Sequence, residues 1–378
     1  MNIVIVTTGY PNEHNPSHYV FVKNLVETLA DFGNQCSVIA PQNRLHKELP
    51  YIREHRVDTT AGGNKVNVFF PIFNTLWRNE KFYLDIIAML GSLSFRHAVK
   101  HTIEKYELKP DVLYAHFLDP AGTCIAKLKD VYNAKAFAVF GESSFWALGK
   151  YGFNKKSKLL KRLDGIISVS SENKRRLVEA NIIEEEKIQV IPNAINLEHF
   201  YPRDKLESRK RFGFDPSDFI VTFVGGFNHR KGVLRVADAL GDLDGVKIAF
   251  AGKGNLTPNV SNQVYCNSVD PAHIPEFLSA GDVFVLPTLN EGCCNAVVEA
   301  MGCGSAIVSS DRSFNYDVLN KDNSILIDPE NIQAIREAVI RLKEDDALRH
   351  KLSNQAYADA QNLSIKERTA RILQFISG

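Results

Sequence analysis

Two acids, two adjacent cations and several glycines in the second half of the chain have the types and spacing to do chemistry. Glu291 and Glu299 frame the stretch Glu291-Gly292-Cys293-Cys294-Asn295-Ala296-Val297-Val298-Glu299, which follows an apolar strand signal from Val283 to Pro287. Asn295 is a helix N-cap by type and Gly302 a helix end, so a helix is predicted between them. Glu291 then lies in the loop at the strand's carboxyl end. Backbone N–H groups of residues 292 to 296 would form a nest at a helix N-terminus, which suits a diphosphate or sugar hydroxyls. Glu299 has Ala, Val and Met neighbours, and a carboxylate among them needs donors to offset its desolvation. A ribose diol offers such donors; the rival reading pairs Glu299 with a surface Lys or Arg. A glycosidase would also use paired acids. Retaining glycosidases hold theirs about 5 Å apart, however, and eight helical residues rise about 12 Å. The two glutamates are therefore expected to grip different parts of one ligand.

A second constellation is Phe223-Val224-Gly225-Gly226-Phe227-Asn228-His229-Arg230-Lys231-Gly232. It reads as a strand, a glycine turn and two cations before a helix. Gly225 and Gly226 permit close backbone approach, and Arg230 or Lys231 would neutralise a diphosphate leaving group. The alternative is an exposed basic turn. In the first half, Tyr114-Ala115-His116-Phe117 and Phe140-Gly141-Glu142-Ser143-Ser144 both follow strand signals. His116 would polarise an acceptor hydroxyl, and Glu142 would hold it or act as its base. The alternatives are a structural histidine and a helix cap. Lys150, Lys155, Lys156, Lys158, Lys161 and Arg162 cluster without an acid, interleaved with Phe145, Trp146, Tyr151 and Phe153. Segments 145–162 and 69–95, the latter with Trp77, Phe82 and Tyr83, are candidates for peripheral membrane contact. Charged surface helices over an ordinary core are the alternative for both.

These residues need a frame. A chain of 378 residues is too long for one ordinary core and suits two domains. With 44% hydrophobic and 24% charged residues, it is expected to be soluble and globular. A net charge of +1 gives no reason for a nucleic-acid partner. The cysteines, Cys36, Cys124, Cys266, Cys293, Cys294 and Cys303, are irregularly spaced and lack a CxxC pair, so reduced thiols and no metal site are expected. The strand Asn2 to Val6 follows the N-terminus without a signal peptide, and no apolar run is long enough to span a bilayer. A cytoplasmic location follows, with any membrane contact at the inner face.

Ile3 to Val6, a helix from Tyr19 to Phe32 with Phe21, Leu25 and Leu29 on one face, Gly33, and a strand from Cys36 to Ala40 make a βαβ unit. Strand signals recur at Val66 to Phe70, Val112 to Tyr114, Ala136 to Phe140, Ile166 to Val169 and Ile188 to Ile191. After a linker between Ile188 and Pro202 they restart at Phe219 to Val224, Val246 to Ala251, Val283 to Pro287 and Ala306 to Ser309, before a helix-rich tail. The pattern predicts two doubly wound, Rossmann-like α/β domains, residues 1–195 and 196–378, facing a ligand cleft beyond the strands' carboxyl ends.

The Glu291 to Glu299 stretch resembles the E-x7-E motif of retaining glycosyltransferases of the GT-B fold, in particular glycosyltransferase family 4. Asp282 to Pro287 before it, Ala300-Met301-Gly302-Cys303-Gly304 after it, and Ile188-Gln189-Val190-Ile191-Pro192-Asn193-Ala194 match the same pattern. The resemblance implies an N-terminal acceptor domain and a C-terminal nucleotide-sugar domain, with a last helix (about 362–378) crossing back to the first. Glu291 would hold the sugar hydroxyls, Glu299 the ribose and Lys231 the diphosphate, with Gly225, Gly226, Arg230, Gly292, Cys293, Cys294 and Asn295 lining the donor. The implied reaction is metal-free and needs no cofactor, since the nucleotide sugar is a substrate. The acceptor would be a saccharide or a lipid-linked saccharide of cell-surface polysaccharide synthesis. Gly226 stands where the family often has Arg, Phe140 where many members have His, and Pro16-Ser17-His18-Tyr19 where many have a glycine pair. Those departures motivate the alternatives of a non-catalytic nucleotide-sugar-binding protein or a nucleotide-sugar epimerase or hydrolase.

Overall fold

The computed structural model describes residues 1–16, 18–43, 52–75, 85–145, 148 and 152–378, with 85, 86 and 88 described by their backbone alone. The chain forms two compact units. The first is Met1–Ile191 together with Thr369–Gly378, and the second is Pro192–Arg368.

The first unit contains β1 (Asn2–Val6), β2 (Gln35–Ile39), the short β3 (Gln42–Asn43), β4 (His55–Thr59), β5 (Lys65–Phe69), the short β6 (Ile72–Phe73), β7 (Val112–His116), β8 (Lys135–Phe140), β9 (Gly165–Ser168) and β10 (Ile188–Val190). The main sheet runs in the order β10-β9-β8-β7-β1-β2-β5-β4. Every pairing in it is parallel except β4 with β5. Ile3, Val4, Ile5 and Val6 are all buried, as a central strand covered on both faces requires. The helices are α1 (Val20–Asp31), α2 (Asp85–Lys105), α3 (Thr123–Tyr132), α4 (Phe153–Leu160) and α5 (Ser171–Glu179). On α1 the buried face is Val22, Leu25, Val26, Leu29 and Ala30. Phe21, expected on that face, is exposed and lies against His116: it stands about 40° from Leu25 but about 100° from the centre of the buried stripe, at its edge. Gly33, at φ +83°, ends the helix as its type predicts. The antiparallel edge strand β4 escaped the strand pattern because His55-Arg56-Val57-Asp58-Thr59 is polar and half exposed.

The second unit contains β11 (Ile220–Val224), β12 (Lys247–Ala251), β13 (Gln263–Asn267), β14 (Val283–Leu286), β15 (Ala306–Ser310) and β16 (Ile325–Ile327), all parallel, in the order β13-β12-β11-β14-β15-β16. Its helices are α6 (Lys205–Phe212), α7 (Val233–Leu240), α8 (Ile274–Ala280), α9 (Asn295–Gly302), α10 (Ile332–Glu344) and α11 (Asp346–Ala360). The last helix, α12 (Ile365–Ser377), follows, and its end groups with the first unit. There Phe375 lies over Gly165, where a Cβ would stand 2.5 Å from its ring, and Arg371 donates to Val190 O at 2.8 Å. The division at Ile191/Pro192 precedes the 195/196 boundary read from the sequence. Asn193 is bonded to Cys293 O and Asn295, and Ile195 N and O are bonded to Leu363 O and Ile365 N, so these linker residues belong to the second unit.

A buried ion pair fixes the amino ends of β11 and β14. Arg209 donates to Asp282 at 2.8 Å, to Ala280 O and to Pro216 O, and Asp282 also accepts from Ile220 N at 2.6 Å. The two side chains are 4% and 9% exposed, so Asp282→Ala strands a buried guanidinium. A loss of about 3–5 kcal/mol is expected, read as a lower urea midpoint, and an unchanged midpoint would refute it.

Candidate active site

At the carboxyl end of β11 the chain turns under the loop that follows β12. Gly225 N donates to Ala251 O at 3.0 Å, and Phe227 N to Lys253 O at 2.9 Å. A Cβ on Gly252 would stand 1.9 Å from Gly225 O, and one on Gly254 2.2 Å from Phe227 O, so the glycines of the second loop are demanded by packing. Gly225 differs: its Cβ would meet nothing nearer than 3.6 Å. Gly232 has φ +81°, and a Cβ there would press on Pro287 O. Asn228 Oδ1 accepts from Lys231 N at 3.0 Å and shapes the turn that presents the lysine.

Lys231 Nζ lies 2.6 Å from Glu291 Oε1 and 3.6 Å from Cys294 Sγ. Glu291 Oε1 also pairs with Arg230 and accepts from Thr288 Oγ1 at 2.9 Å, while Arg230 donates to Asn290 O at 2.7 Å. The loops after β11 and β14 are thus joined through one carboxylate. Lys231 and Glu291 are largely enclosed, and Arg230 stays open to solvent. Burial alone would lower the Lys231 ammonium, but Cys294 and Glu291 outweigh it and hold its pKa above the usual lysine value. Lys231 therefore stays charged.

Glu299, on α9, takes part through its side chain in no hydrogen bond or ion pair among the described residues. Its side chain keeps some exposure, yet burial pushes its carboxyl up to about 7 against the pull of Lys231. The surface Lys or Arg partner considered for it is absent among the described residues. Cys293 and Cys294 are buried thiols, both raised by burial, Cys293 to about 12.

Two details of the sequence reading change. The N-cap of α9 is Cys294, without a side-chain bond, and Asn295 is the first helical residue. Its Oδ1 accepts instead from Asn193 Nδ2 at 2.7 Å, and Asn193 also donates to Cys293 O at 3.0 Å. Residues 291–294 precede the helix, so a continuous helical rise does not measure the separation of Glu291 and Glu299. Among the described residues the N–H groups of Gly292 to Ala296 meet no backbone carbonyl, as at any helix start. Thr288 supports this site without a sequence signal, and Asn228 and Asn193 lie in stretches that the sequence singled out but that gave them no role, since each acts through loop shape or a contact distant in the chain.

In the first unit, His116 ends β7, is buried, and packs against Phe21 and Phe117 at ring separations of 5.1 and 4.7 Å. Glu142 follows β8. Burial raises its carboxyl to about 7, against backbone N–H bonds from its own residue, Gly141 and Leu118. It therefore caps the turn Leu118–Gly122 that follows β7, where a cap on a helix of its own was the alternative expectation. The ends of β7 and β8 are tied together in this way. Beside them Asp119 binds Lys156 at 2.8 Å and Thr123 Oγ1 at 2.7 Å.

Of the two aromatic segments, Trp77, Phe82, Tyr83, Trp146, Lys150 and Tyr151 lie outside the described residues. Phe145 stacks on Phe140 and Phe153 meets Phe145, so both face the core, while Lys156 and Arg162 pair with Asp119 and Asp130. In 69–95, Phe69, Phe70 and Phe95 are buried, but Met89, Leu90 and Leu93 of α2 are 53%, 55% and 38% exposed. Among the described residues no helix is long and apolar enough to cross a membrane, and no group of three or more His, Cys, Asp or Glu is placed to hold a metal ion.

Two parallel α/β units, the second carrying paired acids and a lysine at its strand ends, are of the GT-B glycosyltransferase type. Anabaena Alr3699/HepE, solved in complex with UDP, has the same fold at a TM-score of 0.76 and 17% identity, covering 100% of both chains. The family models "Glycosyltransferase Family 4" and "Glycosyl transferases group 1" match residues 20–199 and 204–359. Across these two stretches the chain is similar to glycosyltransferase family 4. It is 24% identical to the teichuronic acid biosynthesis glycosyltransferase TuaC of Bacillus subtilis, covering 96% of this chain and 94% of that one. It is 29% identical to the N,N'-diacetylbacillosaminyl-diphospho-undecaprenol alpha-1,3-N-acetylgalactosaminyltransferase of Campylobacter jejuni, covering 93% of both.

Proposed function

We propose that the chain is a retaining hexosyltransferase, moving sugar from a nucleotide-sugar donor held by the second unit to a lipid-linked saccharide. The observation that carries this reading is Lys231, an enclosed ammonium held 2.6 Å from Glu291 at the carboxyl ends of β11 and β14. An ammonium has three protons to donate, and Glu291 and Cys294 take two. The third is available to a diphosphate, where charge develops as the sugar departs. Glu291 accepts from sugar hydroxyls, Glu299 from the ribose diol, and the amides of Gly292 to Ala296 with Gly225 and Gly226 approach the phosphates. Arg230 supplies the cation that Gly226 does not. A leaving-phosphate oxygen takes the acceptor's proton on the same face, which retains anomeric configuration. In the first unit, Glu142 and His116 position the acceptor.

The HepE structure with UDP supports a nucleotide donor, and the Campylobacter relative's name supports a diphospho-undecaprenol type of acceptor. A polyprenyl acceptor stays in the membrane, and the exposed Met89, Leu90 and Leu93 of α2 suit a cytoplasmic enzyme that touches the inner face.

A thermal-shift screen against nucleotide sugars tests the reading, with selective stabilisation by one donor expected. Stabilisation without transfer to any acceptor would favour a binding protein instead. Because Lys231 and Arg230 meet the diphosphate charge, chelator is expected to leave turnover unchanged; a sharp loss would transfer that role to a metal ion.

A further inference from the structure

The chain leaves β1 for β2 on one side and returns, after β4 and β5, to β7 on the other side of β1. The carboxyl ends of β1 and β7 are therefore the topological switch point of the first unit, the place where open α/β sheets take their ligands. Five aromatic rings gather there. His18 and Tyr19 end the loop after β1, Phe21 follows on α1, and His116 and Phe117 lie at the end of β7. The Tyr19 ring centroid is 4.4 Å from that of His18, 5.4 Å from that of Phe21 and 5.6 Å from that of Phe117.

Three observations separate these rings from an ordinary core. The cluster is open: Phe21 is 40% exposed, His18 is exposed, and Tyr19 and Phe117 are half-buried. Its polar edges are unspent, because among the described residues neither the Tyr19 hydroxyl nor the His18 ring makes a hydrogen bond, and neither is enclosed. Its backbone is forced as well. Tyr19 at φ +55° and Phe117 at φ +83° hold left-handed conformations that favour glycine, and a Cβ on Gly9 would stand 2.0 Å from the Tyr19 ring and 2.4 Å from that of His18. Strain of this kind persists only where the surroundings impose it, and it collects at ligand sites.

The chemistry of the rings selects the ligand. An aromatic face carries partial negative charge and attracts the C–H groups of a pyranose, while a phenol hydroxyl and an imidazole at the rim exchange hydrogen bonds with its hydroxyls. None of the five rings carries a fixed charge, so the cluster offers no ion pair to a phosphate or a carboxylate. We infer that Tyr19, Phe21 and Phe117, with His18 at the rim, form the platform on which an uncharged pyranose of the acceptor stacks. These rings then select the acceptor sugar, beside the His116 already placed on the acceptor side. The assignment rests on the reading of the first unit as the acceptor unit.

The test is saturation-transfer NMR on the full-length chain with methyl pyranosides of uncharged hexoses and N-acetylhexosamines, and with those of hexuronic acids as the acidic arm. The wild type is compared with Tyr19→Gly, which relieves the left-handed backbone as it removes the ring, and with Phe21→Ala at an exposed helix position. The expected result is transfer concentrated on the C–H groups of one face of the uncharged sugars. Each substitution should weaken it roughly tenfold, with melting temperature and stabilisation by nucleotide sugar little changed. Transfer that neither variant weakens, equal transfer to the hexuronic acids, or none in the wild type would each overturn the platform. If a nucleotide sugar still stabilises the wild type in those cases, the transferase reading survives. If the pyranosides stack as expected but no nucleotide sugar stabilises the protein, that reading fails and the stacking site stands.

Discussion

Lys231→Ala is expected to lower sugar transfer by at least about a hundredfold while moving the melting temperature little. The asymmetry comes from what each partner keeps. Without the lysine, Glu291 still pairs with Arg230 and accepts from Thr288 Oγ1, so its charge remains compensated. Glu291→Ala differs, because it leaves the enclosed ammonium with only Cys294 Sγ at 3.6 Å. That variant is expected to lose transfer and also about 1–3 kcal/mol of stability. Initial rates at saturating donor, beside melting curves of both variants, distinguish the two outcomes. Wild-type-like turnover in Lys231→Ala would remove the donor-site assignment, whatever the fold does.

Glu299→Gln is expected to stabilise the free protein at alkaline pH and to weaken donor binding. The Glu299 carboxyl stands at about 7 in the folded chain against an ordinary value of 4.5, so the folded state binds its proton more tightly than the unfolded state does. Stability from this group is therefore greatest at low pH and is lost as pH rises from about 4.5 to about 7. Glutamine removes the charge that burial penalises. With allowance for the partial exposure of Glu299, the variant should be more stable than wild type by about 1–2 kcal/mol above that window. The gap should close below it. Glu142 is shifted in the same direction but is present in both proteins, so the difference between them isolates Glu299. Donor affinity should fall roughly tenfold, since a carboxylate accepts hydroxyl protons more strongly than an amide. Urea titrations across pH check the first part and calorimetry with the donor the second; a stability difference that does not vary with pH would refute the linkage.

The sequence by itself determined most of the strands and the repeated α/β pattern. Buried parallel strands such as Ile3 to Val6 and Val283 to Leu286 must be continuously apolar, and that signal is local. It also showed Glu291 and Lys231 in loops that follow strands and Glu299 on the helix after Glu291, because an acid or cation beside an apolar run is visible without tertiary context. Strands β4, β13 and β16 were not legible: β4 and β13 are half-exposed edge strands that carry polar residues, and β16 is apolar but only three residues long.

Tertiary structure alone decided which groups meet. The one carboxylate oxygen shared by Lys231, Arg230 and Thr288 depends on the pairing of β11 with β14, some sixty residues apart. The turn capped by Glu142 belongs to β7 rather than to its own strand, and Asn295 spends its side chain on Asn193 instead of on a helix cap. Periodicity reports which face of an element is buried, whereas hydrogen-bond partners and burial of single atoms arise only when distant segments are packed together.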